Sequence, residues 1–377
     1  MNSKYESAFK PFTFRSGVEI KNRILMAPMT NTAAHENGEV SDEEIAYYQE
    51  RAGGVGAVIT ACTYVTRNGK GFPGEFGADS DSLIPSLKRV AAAIQEKGSK
   101  AILQIFHGGR MCPPEELLDR QPIGPSAVAA ERDDAVVPRE MEPDEIEEII
   151  TAFGEATRRA IEAGYDGVEI HGANTYLLQQ FFSPHSNRRT DKWGGTLEKR
   201  MAFPLAVVDT VKKTVKEHTS KPFIIGYRLS PEERENPGIT MEDTLQLVDT
   251  LANQELDYLH ISVGGFFNGS IRDENDKKSR VVMIHERVGD RIPVIGVGML
   301  RTPDEVMDAF GTEVPLIALG RELIVEPHWI QKVQAGEEEK IRTTLSKQDQ
   351  TELAISDRMW EYYTSIPGWL PIVENNK

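Results

Sequence analysis

The sequence predicts an α/β fold closed into a (β/α)8 TIM barrel, with an N-terminal hairpin, a long insertion after the third strand and an extra C-terminal helix. Three observations carry this. Short apolar runs rich in β-branched residues alternate with helical segments. The runs are apolar on both faces, as strands of a parallel sheet buried on both sides must be. Eight such runs occur in the 377 residues, which suits closure better than an open doubly wound sheet.

The elements follow in order. Residues 11–19 read as a hairpin: Phe12 and Phe14 alternate, Ser16-Gly17 turns, and Val18 and Ile20 resume. The first strand is 24–28. Ser41-Asp42-Glu43-Glu44 is a capping box opening a helix through Arg51. The second strand is 55–61. A helix over 82–97 has Leu83, Leu87, Val90 and Ile94 at helical spacing, and the third strand is 101–106. The Pro- and Gly-rich stretch 107–141 is too long for a passive loop and reads as functional. Pro143 sits at a first helical position, and Gly164 ends that helix. The fourth strand is 167–170. A polar excursion, 183–195, precedes a helix over 197–217, and the fifth strand is 223–228. Thr240 caps a helix over 241–253. The sixth strand is 258–263, followed by polar 264–279 and a short helix near 283–288. The seventh strand is 294–297, with Thr302-Pro303 opening a helix. The eighth is 316–319, with a helix from 322. A last helix, 347–363, lies beyond the repeat.

Composition bounds the function. The chain is 39% hydrophobic and 27% charged, ordinary for a globular protein. Its formal charge of −16 disfavours nucleic acid and anionic membranes, which demand basic patches. The two cysteines, Cys62 and Cys112, belong to no metal-ligand spacing. No apolar signal core or membrane-length run is present, so the expected location is cytoplasmic.

In a barrel of this kind the chemistry sits at the C-terminal strand ends. Gly298 follows the seventh strand and Gly320-Arg321 the eighth. Glycines before helix starts expose backbone N–H groups able to hold a phosphate, and Arg321 can add a charge-assisted contact. Gln104 and Arg228 are polar on otherwise apolar strands. Buried, they need partners: either a structural bond to a nearby Glu, or the edge of a planar heterocycle. The fourth strand ends in His171-Gly172-Ala173-Asn174-Thr175-Tyr176. His171 and Asn174 can hold an oxygen and Tyr176 can deliver a proton. Taken singly, a core histidine, a turn asparagine and a packing tyrosine explain them equally well, and His171 as a zinc ligand lacks a second histidine in a strand-end position.

These residues resemble a known family. The chain is similar to the Old Yellow Enzyme family of FMN-dependent NAD(P)H:flavin oxidoreductases from Asn22-Arg23-Ile24-Leu25-Met26-Ala27-Pro28-Met29-Thr30 through Gly320-Arg321-Glu322-Leu323. The most specific parts are His171-Gly172-Ala173-Asn174-Thr175-Tyr176-Leu177-Leu178 and Phe181-Phe182-Ser183-Pro184-His185-Ser186-Asn187-Arg188-Arg189-Thr190-Asp191-Lys192-Trp193-Gly194-Gly195-Thr196-Leu197-Glu198-Lys199-Arg200. The resemblance implies one FMN-binding barrel domain over 1–377, with NADH or NADPH as co-substrate. Ala27, Pro28, Met29 and Cys62 would touch the isoalloxazine, and Thr30 would bond it near the reactive edge. Gln104 and Arg228 would contact the pyrimidine ring. Gly265, Gly298, Gly320 and Arg321 would hold the phosphate. His171 and Asn174 would bind a substrate oxygen, and Tyr176 would be the proton donor. The implied reaction is reduction of an electron-poor alkene, an α,β-unsaturated carbonyl or nitro compound. Thr30 and Asn174 resemble the classical branch, whereas Phe106, in the substrate pocket, stands where its best-known members carry Trp. A barrel lyase or isomerase acting on a phosphorylated substrate and a non-catalytic flavin-binding protein are the alternatives. A homo-oligomer is compatible with the sequence.

Overall fold

The structure is a computed structural model and describes residues 2–373. Eight parallel strands close into one barrel: β1 (Ile24–Met26), β2 (Ala57–Tyr64), β3 (Lys100–Phe106), β4 (Gly167–Gly172), β5 (Ile224–Leu229), β6 (Tyr258–Ile261), β7 (Val294–Val297) and β8 (Leu316–Leu319). They pair in chain order, and β8 returns to β1 with Ala318 opposite Leu25. The helices α1 (Asp42–Arg51), α2 (Ile84–Gln95), α3 (Pro143–Glu162), α4 (Leu177–Phe182), α5 (Leu197–His218), α6 (Met241–Ala252), α7 (Arg280–Val288), α8 (Pro303–Phe310), α9 (Arg321–Val325), α10 (Trp329–Ala335) and α11 (Asp357–Thr364) complete the chain. None is long and apolar enough to cross a membrane among the described residues.

Alternation along each strand divides two cores. Outward residues such as Val58, Leu103, Ile170 and Leu259 pack beneath the helices. Inward residues Leu25, Ala57, Ile59, Ile102, Ile224, Tyr258, Ile295 and Leu316 fill the barrel. The expected hairpin forms, with Phe12 opposite Ile20, and its Phe14, Val18 and Ile20 join the interior cluster as a plug. Burying such side chains contributes roughly 1.5–3 kcal/mol each.

Parity fails once. In β2 the register slips between Ile59 and Cys62, a bulge. Ala57 and Ile59 face the interior, then Ala61 faces out, which sets Cys62 opposite Gln104 and Tyr64 opposite Phe106. The bulge brings Cys62 into the layer that carries the polar residues of the neighbouring strands.

Three expectations change. The capping box at α1 is half formed: Ser41 Oγ accepts from Glu44 N, but the Glu44 side chain turns into the core and is fully buried. The single helix over 347–363 is instead a turn of 3₁₀ helix, Lys347–Asp349, and α11. Ser346 and Asp349 cap the first, Ala354 takes a φ of 49°, and Ser356 opens the second. Between β4 and the polar excursion 183–195 lies a helix, α4, that its six residues were too few to signal. The 107–141 stretch is irregular as expected, apart from short 3₁₀ turns and the pairing of Ile123–Gly124 with Arg139–Glu140.

Candidate active site

The inward stripe is apolar on β7, β8, β1 and the first half of β2. On β3 to β6 it is not: Gln104, Glu169, His171, Arg228 and His260 point into the barrel beside Tyr258. Register stacks them, with Gln104 opposite Glu169, and His171 and His260 each opposite Arg228. Gly226 leaves room for this, since a Cβ there would lie 2.1 Å from the Tyr258 ring. Both readings of Gln104 therefore meet: its Nε2 donates to Glu169 at 2.7 Å, while the residue remains at the strand end. Arg228 makes no ion pair among the described residues. Its Nη2 donates to Ser262 Oγ at 3.1 Å and its buried Nε has no partner.

The turn after β4 is built from unusual backbone. Asn174 and Thr175 both have positive φ, 55° and 67°. Such angles in non-glycine residues cost about 1–3 kcal/mol and persist only where the surroundings enforce them. Here Gln179 Oε1 accepts from Thr175 N at 3.0 Å and Gln180 Nε2 donates to Thr175 O at 2.7 Å. Gln180 also donates to Gly108 O and accepts from Arg110 N, tying the turn to the loop after β3.

This backbone orients the trio. Ala173 N donates to His171 Nδ1 at 3.2 Å, which leaves the proton of a neutral ring on Nε2. Burial and the neighbouring Arg228 depress the His171 pKa to about 3, so the ring is a neutral N–H donor at physiological pH. Asn174 Oδ1 accepts from Ser262 Oγ at 2.8 Å and Ser230 Oγ at 3.3 Å, so its amide nitrogen is the end left to donate. The Tyr176 ring centroid lies 5.1 Å from that of His171 and 4.6 Å from that of Phe106, both edge-on, with Phe72 at 6.2 Å. Burial holds the Tyr176 hydroxyl protonated well beyond its ordinary range.

On the other side, a cavity of about 710 Å³ opens over the ends of β5 to β8 and β1, within the size of cofactor pockets. Met29, Arg228, Gly298, Gly320 and Arg321 line it. Gly298 has a φ of 128°, and a Cβ there would sit 2.8 Å from Gly265 Cα, so this crossing of two loops admits only glycine. Gly265 lies behind Gly298; Gly264 is the residue that lines the cavity. Arg321 donates through Nη1 to Trp369 O, and Arg301 is a third guanidinium on the same cavity, after Arg228 and Arg321. Glu322 also lines it, with burial raising its pKa to about 8. Ala27 N donates to Leu319 O and continues the ladder, so Ala27 and Pro28 are buried at the rim while Met29 and Thr30 are half-buried.

Sequence reasoning missed several residues that the fold brings here. Glu169 is flanked by apolar residues in an alternating strand, and only the inward parity of Gln104 and His171 marks it. Ser230 and Ser262 directly follow β5 and β6 and hold Asn174. Arg301 lies in the glycine turn after β7. Tyr362, on α11 beyond the repeat, interacts with Thr30 and lies near Cys62, and no local pattern announces it. Glu75, buried on the loop after β2, accepts from Gly71 N and Phe72 N and lies beside Cys62.

A flavin suits these residues. The buried Arg228 Nε has no protein partner, and Arg228 lines the same cavity as Gly264, Gly298, Gly320 and two further arginines, Arg301 and Arg321. Fold and site together define a flavin-dependent barrel oxidoreductase. The chain matches the NADH:flavin oxidoreductase / NADH oxidase family over residues 7–340. It belongs to that family, a member of the Old Yellow Enzyme group, and its cofactors are FMN and a nicotinamide nucleotide. It is 48% identical to a probable NADH-dependent flavin oxidoreductase of Bacillus subtilis, YqiG, covering 98% of this chain and 99% of that one. It is 44% identical to an NADH:fumarate oxidoreductase of Klebsiella pneumoniae across 95% of this chain but only 39% of that enzyme. Among solved structures it resembles morphinone reductase in complex with tetrahydroNAD, with a TM-score of 0.76, 25% identity and 98% of each chain covered.

Proposed function

We propose that this chain is an NAD(P)H-dependent ene-reductase acting as one FMN-binding barrel domain in the cytoplasm, and that it reduces the C=C bond of α,β-unsaturated carbonyl or nitro compounds. The observation that carries the reading is the protonation pattern of the trio. His171 is a neutral ring with its proton on Nε2, Asn174 has its carbonyl end tied back, and Tyr176 is a protonated phenol beside both. Two donors and one acid suit an oxygen that gains charge and a carbon that needs a proton.

FMN, when bound, supplies hydride transfer between the nicotinamide and the alkene. Gln104 and Arg228 would hold its pyrimidine edge, Thr30 would bond it near the reactive edge beside the 27–29 backbone, and the glycine turns with Arg321 would hold its phosphate. His171 Nε2–H and Asn174 Nδ2–H bind the substrate oxygen. As charge develops on that oxygen, each donor contributes about 2.7–4 kcal/mol in a water-poor site. The Tyr176 O–H gives its proton to the α-carbon. Phe72 and Phe106, packed around Tyr176, keep water away from it. The Klebsiella relative is named for fumarate, itself an electron-poor alkene; this chain matches 39% of that enzyme, which makes fumarate an acceptor to test.

The test separates the two half-reactions by stopped flow. Purified protein is expected to be yellow and to bleach anaerobically with NADH or NADPH. Tyr176→Phe is expected to leave that bleaching nearly unchanged and to slow reoxidation by an enone about 10²–10⁴-fold. Equal losses in both phases would remove the acid role. Rapid flavin reduction with no reoxidation by enones, maleimides, nitroalkenes or fumarate would remove the ene-reductase reading while leaving the flavin.

A further inference from the structure

Glu169 is the most enclosed charge in the barrel. Its Oε1 accepts from Gln104 Nε2 at 2.7 Å; its Oε2 accepts from the Tyr258 hydroxyl at 2.9 Å and pairs with His260 Nδ1 at 2.9 Å. All four side chains are buried. A fully buried carboxylic acid ordinarily shifts toward its neutral form. Here His260, Arg228 and Gln104 outweigh burial and hold Glu169 below the usual carboxylate range. The carboxylate is therefore a fixed anion level with Gln104 and one inward position below Arg228.

Two consequences follow from its chemistry. A carboxylate only accepts, so Gln104 must present its NH₂ inward and its carbonyl oxygen outward. And Arg228, two positions along the neighbouring strand from Gly226, which is opposite Glu169, has no carboxylate in direct contact. Glu169 is a nearby anion that offsets its charge through the low-dielectric interior.

We propose that Glu169 is a positioning residue that lowers the reduction potential of the bound flavin, by fixing Gln104 carbonyl-outward and by offsetting part of the Arg228 charge. This rests on the reading that puts the pyrimidine edge over Gln104 and Arg228. Reduction by hydride adds two electrons and one proton, so the flavin gains one negative charge. Arg228 favours that charge and Glu169 opposes it. The balance makes the reduced cofactor a stronger donor to an alkene at the expense of its uptake of hydride from the nicotinamide.

The experiment is an equilibrium redox titration of the FMN-loaded protein against a reference dye, with both half-reaction rates measured alongside. Glu169→Gln is expected to favour the reduced over the oxidised flavin by about tenfold, a rise of about 30 mV for a two-electron couple. Flavin reduction by NADH should then speed up and alkene reduction slow down. A scaffold role alone predicts the opposite pattern, FMN affinity and both rates falling together at an unchanged potential, and that result overturns the proposal. Should Glu169→Gln fail to fold, Tyr258→Phe decides: it keeps the charge but removes one donor, leaving the anion less neutralised, so the potential should fall, with the reduced-to-oxidised ratio of the flavin decreasing several-fold. An unmoved potential in Tyr258→Phe overturns the proposal in that case. Arg228→Gln separates the underlying reading. If it leaves potential and FMN affinity intact, the flavin placement is wrong; if it lowers the potential while Glu169→Gln and Tyr258→Phe move nothing, only the role of Glu169 is wrong.

Discussion

Glu44→Gln should change how stability depends on pH, by an amount the structure sets. Glu44 is fully buried and its carboxylate oxygens accept no well-formed hydrogen bond. Burial raises its pKa from 4.5 to about 8, which the nearby Asn31 amide only partly offsets. In the folded protein it is a neutral acid at pH 7; in the unfolded chain it is ionised. The folded state thus holds a proton that the unfolded state releases between the two pKa values. Its contribution is fully present below about pH 4.5 and is lost as pH rises toward 8, by about 1.4 kcal/mol per pH unit and about 5 kcal/mol in all. Glutamine has no such proton. From pH 6 to pH 8, where the folded-state acid itself begins to ionise, the wild type should therefore lose about 2 kcal/mol relative to Glu44→Gln. With an unfolding entropy of about 2.1 cal/mol/K per residue, that is about 3 °C of Tm over this chain length. Calorimetry of both FMN-saturated proteins at pH 6, 7 and 8 measures it, because titrations common to both cancel in the difference. A Tm difference that stays constant across that range would refute the argument, whatever its absolute size.

Other outcomes follow from the site. His171→Ala should weaken binding of phenolic ligands, whose oxygen mimics the charged substrate oxygen, by about tenfold or more, measured by the flavin absorbance shift; since His171 is neutral down to about pH 3, its contribution should not titrate between pH 5 and 8. Ser262→Ala cuts the link between Arg228 and Asn174 and should raise KM for the alkene about fivefold, the loss of one hydrogen bond, and an unchanged KM would leave Ser230 as sufficient support. Gly298→Ala should yield protein with weakened or absent FMN, because the added methyl meets Gly265 Cα at 2.8 Å and the φ of 128° disfavours any side chain. Full flavin occupancy in that variant would show that the two loops can part.

The barrel was legible because every strand announces itself as a short apolar run, and β7 and β8 fall at their expected boundaries. Local chemistry also fixed helix starts wherever a cap residue stands free to bond, as at Thr240 and Thr302. At Ser41 the helix start is also as expected, but only half of the capping box forms because the core claims the Glu44 side chain. Local chemistry could not place Cys62 in the interior, since the parity of β2 depends on a bulge that no residue marks. The site splits the same way. His171, Asn174 and Tyr176 lie in one contiguous motif, and Gln104 and Arg228 stand out as polar residues on otherwise apolar strands. Glu169, Ser262 and Tyr362 matter only through partners far along the chain, so their significance is a property of the closed barrel.

That dependence has a physical basis. Barrel interiors are usually filled with layers of branched apolar side chains, and half of this one is. The other half buries a carboxylate, a guanidinium and two imidazoles, each of which is costly to desolvate alone. The cost is met where the groups bond one another, as Glu169 does with Gln104, Tyr258 and His260. It is not met at Arg228 Nε or His260 Nε2, which are buried without partners. Natural cores rarely leave such atoms, and Arg228 lines the cavity. The polar half is thus better regarded as an unfinished layer than as a core: its unsatisfied guanidinium is a reason for a planar, hydrogen-bonding cofactor to bind at that end of the barrel, and the apolar half is what keeps the remaining charges from being hydrated instead.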